Sequence, residues 1–142
     1  MKKVYICSPL GGDVAGNIER AKIYALYAFE CGAAPVVPHF YALILNDNEA
    51  PQRELGLKAG KTLLWFCDEV WAFGDVLSSG MKEEIRMAKH LGIKVRYFDR
   101  RKKILGGIEF YEKKKIIQNP VNHAADRRAD VRFVSDGKCR GR

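Results

Sequence analysis

Four short apolar runs punctuate the first hundred residues: VYIC at Val4–Cys7, APVVP at Ala34–Pro38, EVWAF at Glu69–Phe73 and KVRYF at Lys94–Phe98. They are rich in β-branched and aromatic residues and continuous rather than alternating, as strands buried on both faces are. Helical spacing fills the gaps, from Asn17 to about Cys31, from Pro51 to about Phe66 and from Met81 to Leu91. On the first of these, Ile18, Ala21, Ala25, Ala28 and Phe29 share a face, with Asn17 as N-cap and Gly32 as stop. An order of β-α-β-α-β-α-β leaves few topologies open, because parallel strands need crossovers that lay helices on both faces. The expected fold is α/β: a three-layer flavodoxin- or Rossmann-like sandwich. Its parallel sheet has four to five strands in the order 2-1-3-4-5. The 142 residues suffice for one such domain with a substantial core.

In a sheet of that order the ligand crevice lies beyond the carboxyl ends of strands 1 and 3, where the winding reverses. Two loops then lie side by side, SPLGGD at Ser8–Asp13 and GDVLSSG at Gly74–Gly80. Both are rich in Gly and Ser. The second enters a helix N-terminus, where free backbone N–H groups and the helix dipole favour an anion. Candidate contacts are Ser8, Pro9, Gly11, Gly12 and Asp13 on the first loop, and Asp75, Ser78, Ser79, Gly80 and Met81 on the second. Glu84 stands out. Its helical neighbours are Gly80, Met81, Met87 and Ala88, so it faces the sheet, whereas Glu83 sees Ser79, Arg86 and water. An inward carboxylate beside such a turn is either a catalytic group or a first-turn partner of the helix dipole, and the residues alone leave both open. Asp75 reads more simply as a turn aspartate, and Asp68, at the opposite end of strand 3, as structural. His39 follows strand 2 and could reach the rim of the crevice, although a lone loop histidine reads first as solvated. Neither GxxxxGK[ST] nor a first-loop GxGxxG is present, so a P-loop or dinucleotide cofactor is not expected.

The net charge of +8 is placed unevenly. Residues 1–99 carry 12 Lys/Arg and 12 Asp/Glu, while residues 100–142 carry 13 and 5, so the excess belongs wholly to the C-terminal segment. There ILGGIEFY offers an edge strand or a docked helix, and the remainder loses apolar periodicity. The four cysteines, Cys7, Cys31, Cys67 and Cys139, lack metal-site or disulfide-framework spacing; the first three read as reduced thiols at the ends of apolar elements. MKKVYICSPL is too strand-like for a signal peptide and no long apolar run follows, so a cytoplasmic protein is expected.

The strand and loop VYICSPLGGD, the CDE-W-FG pattern and the run SSGMKEEI together resemble the nucleoside 2-deoxyribosyltransferase-like superfamily. The nearest likeness is to a small uncharacterised phage and bacterial branch, and the deoxynucleoside 5′-monophosphate N-glycosidases are also similar. The resemblance spans a domain at 1–105 and leaves 106–142 as a basic, partly disordered extension. It implies that Glu84, four residues after Gly80, attacks the sugar C1′, and that Tyr5 orients it. It further implies that Ser78 holds a 5′-phosphate, and that Ser8 and the following glycines touch phosphate or sugar. No metal or cofactor is implied. Two residues depart from the pattern. An aspartate that helps protonate the leaving base would fall near Gly60, where LKAGKTLL has no carboxylate, leaving Asp47, Glu54 or Asp75 as substitutes. Gly11 stands where relatives commonly have arginine. The implied function is an N-glycosidase or deoxyribosyltransferase acting on deoxynucleosides or their 5′-monophosphates. The alternative is a non-catalytic nucleotide-binding domain, sensor or regulatory, which the missing aspartate favours. The implied partners are a small-molecule nucleoside or nucleotide and further copies of the chain, as a homodimer or higher homo-oligomer. No membrane is implied, and nucleic acid binding through the basic tail is not favoured.

Overall fold

The computed structural model of the protein describes residues 1–100 and 110–113. The apolar runs form strands β1 (Lys2–Cys7), β2 (Ala33–Val36), β3 (Glu69–Phe73) and β4 (Lys94–Arg100). Helices α1 (Val14–Glu30), α2 (Ala50–Leu64) and α3 (Ser79–His90) connect them, and a 3-10 helix at Pro38–Leu43 follows β2. A last strand, β5 (Phe110–Lys113), completes a sheet of order β2-β1-β3-β4-β5. The first four strands are parallel and in the expected order; β5, which takes in the end of ILGGIEFY, adds an edge strand antiparallel to β4. Only nine residues, 101–109, separate the two. A parallel crossover needs a dozen or more, so the return must be antiparallel. β5 lies beyond residue 105, and the rest of the basic extension lies outside the described residues.

Strand register sorts the core into two layers. Tyr5 pairs with Val70 and Cys7 with Ala72, so these four share one face. They pack with Leu64 of α2 and with Met81, Ile85 and Ala88 of α3. The opposite face presents Val4, Ile6, Trp71, Phe73 and Phe98 to α1. There Tyr24 stacks on Phe73 at 4.3 Å and Phe73 on Phe98 at 5.0 Å between ring centroids. Such offset aromatic pairs add about 0.5–1.5 kcal/mol each to the burial of their area. All five residues of β3 are buried, which makes it the centre of the sheet.

Two local expectations change. Asp13, not Asn17, caps α1, its carboxylate accepting from the Gly16 N–H at 3.0 Å. Asn17 is buried one turn inside the helix, where its amide donates to the carbonyls of Leu10 and Gly11 and ties down the loop after β1. Phe29 is 56% exposed, rotated past the face that Ala28 buries. Cys7 and Cys67 are free and buried, as expected, and Cys31, at the end of α1, is half-buried. No described helix is long and apolar enough to cross a membrane.

Candidate active site

The loops after β1 and β3 meet above the carboxyl ends of the strands and wall a cavity of about 260 Å³. Gly74, at φ 116°, turns the chain sharply out of β3; an L side chain would be strained there. The chain then reaches Ser78, which caps α3 by accepting from the Met81 N–H at 3.3 Å. Ser78, Ser79, Gly80, Met81 and Glu84 therefore line the cavity in succession along the helix start, facing Ser8 and Gly11 from the first loop. The other wall comes from the 3-10 helix and α2, through His39, Tyr41, Leu45, Asp47, Arg53, Leu57 and Gly60 among others.

Glu84 is held from beneath. The hydroxyl of Tyr5, itself fully buried on β1, donates to Glu84 Oε1 at 2.8 Å. Burial pushes the Glu84 carboxyl above the usual glutamate range, and the Cys7 thiol and Tyr5 hydroxyl donating toward it pull the other way. Burial and the Glu84 charge push the Tyr5 phenol far upward, so it stays a proton donor at any working pH. The Cys7 thiol is likewise pushed well up, by burial first and Glu84 second. Next door, Glu83 turns outward to Lys61 at 2.8 Å. The helical neighbours of the two glutamates had distinguished them in this sense.

His39 is buried rather than solvated. Its Nε2 lies 2.8 Å from the Ser8 carbonyl oxygen, which can only accept, so Nε2 carries the proton. Ser8 Oγ lies 3.0 Å from the same nitrogen, and among the described residues the buried Nδ1 has no hydrogen-bond partner. Burial lowers the His39 pKa and keeps the ring neutral. The imidazole thus clamps the loop after β1 to the 3-10 helix.

Gly60 is a close approach. A Cβ built there would sit 3.2 Å from the Tyr5 hydroxyl and 3.3 Å from Pro38 Cβ. Bare backbone therefore borders the Tyr5–Glu84 pair on the α2 side. Of the three carboxylates named as substitutes, Asp47 alone lines the cavity, where it pairs with Arg53 at 2.6 Å. Glu54 is exposed and paired with Lys58, and Asp75 is exposed outside the lining. Several other residues singled out from the sequence also fall outside it. Pro9 and Gly12 do not line the cavity, and Asp13 is turned to the start of α1, where it also meets Arg20 at 3.2 Å. Asp68 pairs with Lys3 at the far end of the sheet, accepting from its backbone N–H at 2.7 Å. Tyr41 and Arg53 carried no sequence signal; both depend on how the 3-10 helix and α2 fold against each other. Among the described residues, no group of three or more His, Cys, Asp or Glu is arranged to hold a metal ion.

A family model described as a domain of unknown function, DUF7768, matches residues 2–98. The chain belongs to this family. The matched span of this DUF7768 member takes in β1 through most of β4, and so every residue that walls the cavity. No curated protein matches the chain. Among solved structures, the chain is similar to the 2-deoxyribosyltransferase of Bacillus psychrosaccharolyticus, with a TM-score of 0.57 and 16% identity over 73% of this chain and 77% of that one. A 2-deoxyribosyltransferase of Leishmania mexicana gives a TM-score of 0.48 and 15% identity over 70% and 65%. The fold resembles that of the 2-deoxyribosyltransferases, as the sequence motifs implied.

Proposed function

We propose that this protein breaks the N-glycosidic bond of a deoxynucleoside or its 5′-monophosphate, passing the sugar to water or to another base. The observation that carries this reading is the Tyr5–Glu84 pair: an inward carboxylate, held at 2.8 Å by a buried phenol, on the wall of a cavity that also collects a helix N-terminus. A fixed carboxylate of this kind suits attack on C1′ as the base departs, because the sugar passes through an oxocarbenium-like state. Glu84 then forms an ester to C1′, the bonding pair of the glycosidic bond leaves with the base, and water or an acceptor base cleaves the ester. Ser78 already accepts from Met81 N–H through Oγ, which leaves its own O–H to donate to a 5′-phosphate seated at the start of α3.

A second reading has its own support. Gly60 leaves no carboxylate beside Tyr5 on the α2 side, and Asp47 is neutralised by Arg53. A domain that binds a nucleotide without cleaving it fits those two facts. Incubating the protein with the common deoxynucleosides and their 5′-monophosphates, and following free base by chromatography, separates the readings. Release that vanishes in Glu84→Ala supports the enzyme; saturable binding of a monophosphate without release supports the binding domain. We further propose a homo-oligomer, since Trp65 and Phe66 at the end of α2 are 62% and 68% exposed, an apolar pair of the kind subunit contacts cover.

A further inference from the structure

The two ends of the cavity differ in chemistry. Around Ser8, Gly11 and Ser78–Gly80 it offers hydroxyls, backbone N–H groups and a helix dipole, which suit an anion. The other end is walled by Tyr41, Ala42, Leu45 and Leu57, and its charged groups are Asp47 and Arg53. Asp47 Oδ2 accepts from Arg53 Nη1 at 2.6 Å, so the two charges cancel locally. That end therefore suits a neutral, flat group rather than a phosphate.

The pair is also preorganised. The turn that carries Asp47 is held by Gln52, whose Oε1 accepts from the Asn46 N–H at 2.8 Å and whose Nε2 donates to Glu49 at 2.7 Å. The Asn46 side chain donates to Glu49 at 3.1 Å and accepts from the Asn48 N–H at 3.1 Å. The Asp47 side chain keeps 16% exposure, and among the described residues Arg53 is its only hydrogen-bond partner. The carboxylate thus has acceptor capacity left over, and the guanidinium beside it has donors left over.

We propose that this pair is a base-reading element that selects guanine, a refinement that rests on the nucleotide reading of the cavity given above. A carboxylate needs donors and a guanidinium needs acceptors. Guanine alone among the common bases sets two donors, N1–H and the 2-amino group, next to an acceptor, O6. The carboxylate accepts both donors while Arg53 donates to O6, and Tyr41, Ala42 and Leu45 border the plane of the ring. Thymine offers the carboxylate one donor between two acceptors; adenine and cytosine offer a single amino group.

The test measures binding, by calorimetry, and base release for the four common deoxynucleoside 5′-monophosphates and for deoxyinosine 5′-monophosphate, which lacks only the 2-amino group. Wild type is expected to favour the guanine nucleotide by about ten-fold to a hundred-fold, and the inosine nucleotide to fall behind it. Asp47→Asn replaces an acceptor with a donor and is expected to erase both gaps. Arg53→Gln is the second variant, expected to narrow the preference and decisive should Asp47→Asn fail to fold. A guanine preference that appears in binding without base release upholds this inference and removes the glycosidic chemistry. Base release with no guanine preference, or with one that survives both substitutions, overturns this inference and leaves the glycosidic chemistry standing. Neither binding nor release overturns both.

Discussion

Replacing Tyr5 with Phe removes one oxygen from the site and little else, because the ring stays packed between β1 and the helices. That oxygen donates to Glu84 Oε1 at 2.8 Å, and burial already holds the Glu84 carboxyl above its ordinary range. A hydrogen bond to a charged acceptor is worth about 1.5–3 kcal/mol, and it favours only the ionised form. In Tyr5→Phe the carboxylate therefore ionises later. If the ionised form is the nucleophile, the acid limb of the kcat/KM profile moves to higher pH. At a fixed pH on that limb the same energy appears as a loss of about ten-fold to a hundred-fold. On the alkaline plateau, where both proteins are ionised, the loss shrinks to what misorientation costs. The assay is base release across a pH series, with the two proteins run in parallel. A loss that is uniform across pH, or a limb that does not move, would show that Tyr5 does not hold the reacting carboxylate.

Other outcomes follow from the same geometry. Glu84→Gln keeps an acceptor for Tyr5 but no charge to bury, so it should be more stable than wild type by an amount that grows with pH. The folded-state pKa of Glu84 is raised, so between the unfolded and folded values the native state binds more protons and wild-type stability falls as pH rises. Melting curves from below pH 4.5 upward check this, and a gap that closes as pH rises would contradict it. Ser78→Ala removes the cap of α3 and should cost about 1 kcal/mol in denaturant unfolding, together with weaker binding of the monophosphate than of the free nucleoside. Asp13→Ala should lower the melting temperature through the lost cap of α1 while leaving kcat/KM unchanged; a fall in kcat/KM would return Asp13 to the site.

The inward turn of Glu84 was legible because a helix start has only two faces and Gly80, Met81, Met87 and Ala88 mark the apolar one. The crevice was legible because strand order determines where two loops meet. The partner of Glu84 was less so: Tyr5 lies 79 residues away, and the family likeness rather than any local spacing pointed to it. His39 was misjudged as solvated because a lone histidine in a short 3-10 helix has no periodicity, and its burial depends on the Ser8 carbonyl across the sheet end. Asp47 and Arg53 straddle a loop and a helix start, six residues apart, so helical spacing does not link them. Both Asp13 and Asn17 are good N-cap residues; what separates them is that the Asn17 amide is needed by the loop carbonyls of Leu10 and Gly11. The antiparallel β5 follows from chain length between strands, which local sequence pattern does not weigh.

If Glu84 is the nucleophile proposed above, it becomes covalently joined to C1′ during the reaction. A 2′-fluorinated deoxynucleoside slows breakdown of that ester, since the fluorine withdraws electrons from the oxocarbenium-like state. Acid-quenching the protein with this substrate and analysing its peptides by mass spectrometry tests the claim directly. One sugar per chain is expected, on the peptide bearing Glu84, with no adduct in Glu84→Gln. Release of base with the Glu84 peptide unmodified, or a sugar carried by another residue, would contradict it.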